Sequence, residues 1–465
     1  MHKIGFALAA VAALGFTQVA RAERTGAFLY ASFDPNVIYN DGASSTVLRV
    51  ATTKTDVTGV QMQGANGAWP DMFDDGTHGD KTARDGIYTL NGITTDTLGK
   101  TSIHLWFGGT HVITGVYVRI KKTDGTTQLV DGWAPSLGIV DKSQVFQSVR
   151  LASDVYATEC AVGMVDPTGK MLGGKIPLAR VKCGDTAFGA FQRLYSVFGD
   201  VFDFVVVMPA GSIYDPNRNY AENVPYAVPA KNEIQNIGMQ LFDDTAKFFS
   251  AGRLRTMVYH SFGYGAILDH EVGHAWSAWD FGSEIGLSDG VHWEENTDVA
   301  GQMSSFVFAG SRSGHLCGNG DGTWRVVPAD PATERYSWLD LYLMGLAPPG
   351  KVKPVHRLIQ PDYSNPDRVT AGQVETWSIQ ELMDEAGGPR IPAAKDSPKS
   401  FKIAFIMVKN KSFTQAELAW MSLVAKYFTS REKGEHYLTP FYTATYKRGT
   451  LDPQLPLLDR SSTNR

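Results

Sequence analysis

The chain has 465 residues, with 43% hydrophobic and 20% charged content, which describes a globular protein of two or three domains with a real core. Its net charge is −5, and it has neither the basic surplus of a nucleic-acid binder nor a basic amphipathic stretch that would lie on a membrane. Three cysteines, none in a CxxC spacing, exclude a disulfide-framework fold and a thiolate zinc site.

The first 22 residues, MHKIGFALAAVAALGFTQVARA, have a cationic start, an apolar run from about Ile4 to Phe16 and a small-x-small site at Ala20-Arg21-Ala22. That pattern predicts a secretory signal peptide cleaved near Ala22, and an extracellular or periplasmic protein. The apolar run is too short to span a bilayer, and no later stretch is long enough. No cysteine follows it closely, so a lipid anchor is not expected. In an exported chain Cys160 and Cys183 could pair and leave Cys317 free, but spacing does not choose among the pairings.

Residues 23–140 are expected to form an all-β domain. The runs STVLRVA, TSIHLWF and GVYVRIKK favour strands, with Val116, Val118 and Ile120 facing one way in the last. The clusters NDGAS, DDGTHGD, RDG and TDG supply turns between them, as in a β-sandwich. The stretch MFDDGTHGDKTARDGIYT resembles a segment of immunoglobulin-like modules in bacterial exported proteins. Its Asp74, Asp75, Asp80 and Asp85 offer oxygens to Ca2+, although the spacing is not that of an EF-hand. Asp and Gly shaping tight turns is the simpler reading. This filled interval leaves no room for a long inhibitory pro-segment.

Alternation is lost across DGWAPSLGIVDKSQVF (131–146), which places a boundary there, and residues 141–465 read as a mixed α+β domain. AFGAFQRLYSVFGD spaces its aromatics as a helix. DFVVVMPA (203–210) and FKIAFIMV (401–408) read as buried strands, and residues 211–232, rich in Pro, Asn and Tyr, as a surface loop. TQAELAWMSLVAKYF (414–428) opens on a Thr414/Glu417 capping box.

The chemistry concentrates in YGAILDHEVGHAWSAWDF, whose length and apolar spacing predict a buried helix. Residues i and i+4 share a helix face, so His270 and His274 can direct nitrogens at one metal ion. Glu271 lies about 100° round the helix, within reach of a metal-bound water without ligating the metal. Two satisfied core histidines would be the structural alternative, but a buried helix carries such groups at a cost unless they are paired or liganded.

The third ligand is open from the residues alone. AWSAWD after the second histidine lacks the Gly and His of an astacin- or matrixin-type site. Glu294 lies at the spacing of the thermolysin-type glutamate, and Asp298, four residues later, at that of a carboxylate orienting a histidine ligand. His292 and Glu295 are in range as well, and a neutral imidazole ligates zinc as well as a carboxylate.

The chain resembles a group of exported bacterial metallopeptidase-like proteins that carry HExGH, a His-Trp pair, a small-residue segment ending in Met, and a YSxLDLYLMGL segment. Here these are HEVGH (270–274), HW (292–293), DVAGQM (298–303) and YSWLDLYLMGL (336–346), and the resemblance covers roughly residues 150–430. It implies a zincin-like metallopeptidase domain, a protein or peptide substrate, Zn2+ held by His270, His274 and His292, and Glu271 as general base. WEENTDVAGQM is more acidic than the group's pattern, which keeps Glu294 and Glu295 as rivals of His292. Met303 or Met344 could floor such a site, and Tyr259, His260, His315, Tyr336 or Tyr342 could donate to an oxyanion. The periodicity of the LDLYLMG segment reads as a packed, structural helix. Two further readings stand beside peptide hydrolysis. One is a surface-binding or adhesion protein whose zinc domain no longer turns over, and the other is a zinc hydrolase of non-peptide amides such as those of the cell wall.

Overall fold

The computed structural model describes residues 27–53, 55–99, 104–107, 111–130, 136–168, 171, 189–209, 225–260, 268–277, 285–330, 333–432 and 439–456. The expected leader, Phe188 and Cys183 lie outside them, as does most of the expected 211–232 loop. The fold is α+β, mostly strands with a few helices. Among the described residues no helix is long and apolar enough to cross a membrane.

The N-terminal part is all-β. Strands β1 (Phe28–Asp34), β3 (Thr46–Thr52) and β6 (Ile87–Ile93) form one sheet in the order β1-β3-β6. A second runs β10 (Thr127–Val130), β9 (Val118–Lys122), β4 (Val57–Met62), β5 (Asp71–Met72). A third runs β2 (Val37–Tyr39), β11 (Ser136–Val140), β8 (His111–Gly115), β7 (His104–Phe107). Val116, Val118 and Ile120 are fully buried in the common core with Leu48, Val50 and Val60, as the alternation of GVYVRIKK predicts. In the acidic turn, Asp74 accepts backbone N–H bonds from Asp85 and Gly86, Asp80 from Gly76 and Thr82, and Asp85 from Ile87. The carboxylates of Asp74, Asp80 and Asp85 also lie within 4.8 Å of one another, and Asp75 instead binds Thr77. The turn chemistry of the sequence is therefore present together with a compact oxygen cluster.

The larger part is built on one mixed sheet. Its order is β12 (Val149–Ala152), β13 (Val155–Ala157), β14 (Val162–Val165), β25 (Ser400–Lys409), β15 (Phe204–Pro209), β19 (Thr256–Tyr259), β16 (Tyr226–Pro229). The four central strands β14, β25, β15 and β19 are parallel, and antiparallel pairs close both ends. Both faces are covered, which is why FVVVMP and FKIAFIMV are continuously apolar rather than alternating. Val205, Val207, Ala404 and Ile406 pack beneath helix α1 (Gly189–Phe198), through its Phe191, Leu194 and Phe198. Phe204, Val206, Ile403 and Phe405 face the opposite core. That core takes in α2 (Leu268–Gly273), α3 (Trp338–Leu343) and α5 (Gln415–Phe428), of which α5 follows α4 (Ile379–Glu385) along the chain. Helix α5 starts as expected: Thr414 Oγ1 accepts from Glu417 N, and Glu417 accepts from Thr414 N.

Two expectations change. The segment 211–232 is not loop to its end, because Tyr226–Pro229 forms edge strand β16 on β19. The ladder to β19 supplies the order that local composition does not, and an edge strand tolerates Pro229. The HEVGH helix ends earlier than expected: its described part, α2 (Leu268–Gly273), passes into a turn at residues 274–276, held by Ala275 N to Val272 O and Trp276 N to Gly273 O. The boundary between the two parts is also a packed one. Val37 and Val140 of the N-terminal part belong to the same core as Trp420 and Val424 of α5, and Lys411 Nζ lies 2.6 Å from Asp34. The N-terminal part is thus seated on the second part rather than tethered to it.

Candidate metal centre

Helix α2 lies against strands β16 and β19, at the antiparallel edge of the sheet. Its residues 268–273 are all buried, which the apolar neighbours Leu268 and Val272 account for. Gly273 is required by packing: a Cβ there would sit 2.3 Å from Met303 Sδ and 2.9 Å from Tyr336 Cε1. Met303 is therefore a wall behind the helix, in contact at Gly273, and Met344 is buried in the same core.

Three imidazoles converge at this helix. His270 Nε2 lies 3.0 Å from His292 Nε2 and 3.1 Å from His274 Nε2, and ligand atoms of all three fall within 4.8 Å of one another. Each residue is at most 8% exposed. The group could hold a metal ion. Nitrogens bound to one tetrahedral zinc at about 2.1 Å would lie roughly 3.4 Å apart, close to the spacing seen.

The outer nitrogens show why the lone pairs face inward. His270 Nδ1 donates to the Gln302 carbonyl, which leaves Nε2 as the unprotonated atom. Asp289 Oδ2 lies 3.5 Å from His292 Nδ1, and Asp289 Oδ1 accepts from His292 N at 2.7 Å. Burial, with the neighbouring imidazoles, drives His270 down to about 3 and His274 well below the usual histidine range. Both imidazoles are thus neutral near neutral pH, the state that metal binding would need.

Glu271 is 4% exposed, and burial pushes its carboxyl up to about 8, although the Ala227 backbone N–H of edge strand β16 hydrogen-bonds it and acts the other way. A cation on the three histidines would favour its ionised form. The helix thus carries a shielded carboxyl next in sequence to a histidine of a group that could hold a metal ion.

The structure distributes the remaining candidates plainly. The histidine cluster contains neither Glu294 nor Glu295. Glu294 is half-buried, its carboxyl raised by burial and by Asp289 and Glu295. Asp298 does not reach a cluster histidine: it accepts from His356 N and Trp324 Nε1 and pairs with His356 Nδ1. The carboxylate at a cluster histidine is Asp289 instead, three residues before His292 rather than six after it. Tyr336 OH donates to the Asp269 carbonyl, Tyr342 OH accepts from Arg390 N at 2.8 Å, and His315 pairs with Glu334. Tyr259 and His260 stand at the end of β19 beside α2, with Tyr259 stacked on Tyr226 at 5.1 Å. Cys160 is buried, its thiol donating to the Ser422 carbonyl at 3.5 Å and pushed up to about 11 by burial.

Residues missed in the sequence are Gln302, Asp289 and Asp340. The last is fully buried and accepts from Ser277 Oγ, Trp293 Nε1 and Ser337 N. A signal existed: an aspartate inside the apolar run WLDLYL has to find donors. In comparisons with known proteins the chain matches no family model, no curated sequence and no solved structure.

Proposed function

We propose that this protein is an exported zinc-dependent peptidase with a zincin-like catalytic domain behind an immunoglobulin-like sandwich. One observation carries the reading: three buried imidazoles bring ligand nitrogens within 4.8 Å of one another, and the helix that carries the first of them also carries the buried Glu271. The N-terminal leader of the sequence gives the export, and the turn MFDDGTHGDKTARDGIYT the immunoglobulin-like reading.

His270, His274 and His292 would hold the ion, whose bound form acidifies water and polarises a carbonyl. Glu271 takes the proton of the attacking water and later delivers it to the leaving amine. Burial suits this role, because a carboxyl poised near neutral pH can both accept and return a proton. The Gln302 carbonyl and Asp289 keep the imidazoles in one tautomer, so that chemistry and ligation do not compete for protons.

The test is cleavage of a broad peptide library by zinc-loaded wild type and Glu271→Gln. The expected result is cleavage by the wild type and a loss of at least about 100-fold in the variant with its metal retained. Equal cleavage by both would remove Glu271 from the chemistry.

A second reading is a zinc-binding surface or adhesion module without turnover. It is favoured by the engagement of Tyr336, Tyr342 and His315 with other partners, which leaves Tyr259 and His260 to serve the oxyanion. Zinc bound without any cleavage of the library, together with saturable binding to a glycan or protein surface, selects it.

A further inference from the structure

The segment YSWLDLYLMGL contains no ligand of the histidine cluster, yet it is tied to both halves of it. Helix α2 delivers His270, and the turn that follows it delivers His274. The turn at its end carries Ser277, three residues beyond His274, still bonded N–H to the Gly273 carbonyl at 3.2 Å. His292 comes from a separate segment, next to Trp293, which is fully buried. Asp340 joins these two pieces. Its Oδ1 accepts from Ser277 Oγ and, at 2.8 Å, from Trp293 Nε1. Its Oδ2 accepts from Ser337 N at 2.8 Å, which closes the capping box of α3.

A carboxylate with no exposed surface is costly unless its oxygens are satisfied. Helix α3 has no need of it, because Ser337 Oγ already caps Asp340 N at 3.0 Å, and a glutamate or glutamine three residues on from the cap would complete the box equally. What an aspartate adds is one oxygen shared by two donors, one on each ligand-bearing segment. The short side chain fixes that oxygen against the helix, so the two segments meet at a defined place.

We propose that Asp340 is the positioning residue of the metal centre, holding His292 in register with His270 and His274 through Trp293 and Ser277. This rests on the metal-centre reading above. Asp340 touches no ligand nitrogen, and its effect passes through the indole and the serine.

The test uses the full-length mature protein, loaded with Zn2+ for affinity and with Co2+ for the visible spectrum, which reports ligand number and geometry. Asp340→Ala removes the shared oxygen, and should bind zinc about 10–100-fold more weakly in a chelator competition and shift the cobalt absorption. Trp293→Phe keeps a ring but removes the same N–H, and should shift the spectrum in the same direction. The double variant should lose little more than either single one. Ser337→Ala weakens the cap of α3 but leaves the shared oxygen, and should lower the melting temperature without moving the cobalt bands. Wild-type affinity and spectrum in Asp340→Ala would overturn the proposal. So would an unshifted Trp293→Phe, which decides the matter if Asp340→Ala does not fold. A wild type that binds neither metal refutes the metal-centre reading itself, before any variant is compared.

Discussion

His270 Nε2 and His292 Nε2 face one another at 3.0 Å across a gap of 22 residues in sequence, with their rings 22° from parallel. The outer nitrogen of the first donates to a carbonyl and that of the second points at a carboxylate. Two lone pairs brought this close repel unless something positive lies between them or one nitrogen carries a proton. Burial and neighbouring imidazoles disfavour a charged His270, so either His292 Nε2–H donates to His270 Nε2 or a cation lies between them. The group could hold a metal ion, and the packing around it reaches the helix behind it, the carboxyl of Glu271 on that helix and the core beneath.

Behind the helix, Gly273→Ala places a methyl carbon where Met303 Sδ now lies. Overpacking of this kind costs about 1–3 kcal/mol, read from urea denaturation. Because the closest conflict is with Met303, at 2.3 Å against 2.9 Å for Tyr336 Cε1, Gly273→Ala combined with Met303→Ala should lose less than the sum of the two single losses. Simple additivity would show that the helix is not packed on Met303.

Glu271 gives a pH signature in metal-free protein. Burial raises Glu271 from the ordinary glutamate value near 4.3 to about 8 in the folded chain. Between those values the folded state keeps a proton that the unfolded state has released, so the group makes stability fall as pH rises, and the fall is complete above about 8. Glu271→Gln cannot lose that proton. In chelator, its stability relative to wild type should grow from about pH 4 to about pH 8, by an amount on the order of 3–5 kcal/mol. A pH-independent difference between the two, measured by denaturation at several pH values, would refute the burial argument.

Under the sheet, Lys409 Nζ meets Glu417 Oε1 at 2.6 Å and Oε2 at 2.7 Å, with side-chain exposures of 1% and 0%. Lys409→Met should cost about 3–5 kcal/mol, because it strands a buried carboxylate. Lys409→Met with Glu417→Leu should cost less than Lys409→Met alone, even with the capping contact to Thr414 N removed. Guanidinium denaturation of the two variants separates these outcomes.

What could be read in the sequence follows from what is local. His270, Glu271 and His274 are fixed by helical spacing, and the strands FVVVMP and FKIAFIMV by the continuous apolar runs that a doubly covered sheet needs. The Thr414/Glu417 box was legible for the same reason. His292 became a candidate through resemblance, and its rival Glu294 through spacing, because the return of a loop to a helix has no periodicity. Asp289, Gln302 and Asp340 could not be placed, since each acts across a contact made only in the folded chain. Asp298 had the right chemistry at a plausible spacing and went to His356 instead. Strand β16 was hidden in a composition typical of loops, because its order comes from β19.

The most direct measurement is zinc per chain by elemental mass spectrometry, after dialysis to constant metal content, for wild type, His292→Ala and Glu294→Ala. The three-histidine centre predicts about one zinc in wild type and in Glu294→Ala, and far less in His292→Ala. A metal-free wild type, or a full complement in His292→Ala with loss in Glu294→Ala, would contradict it.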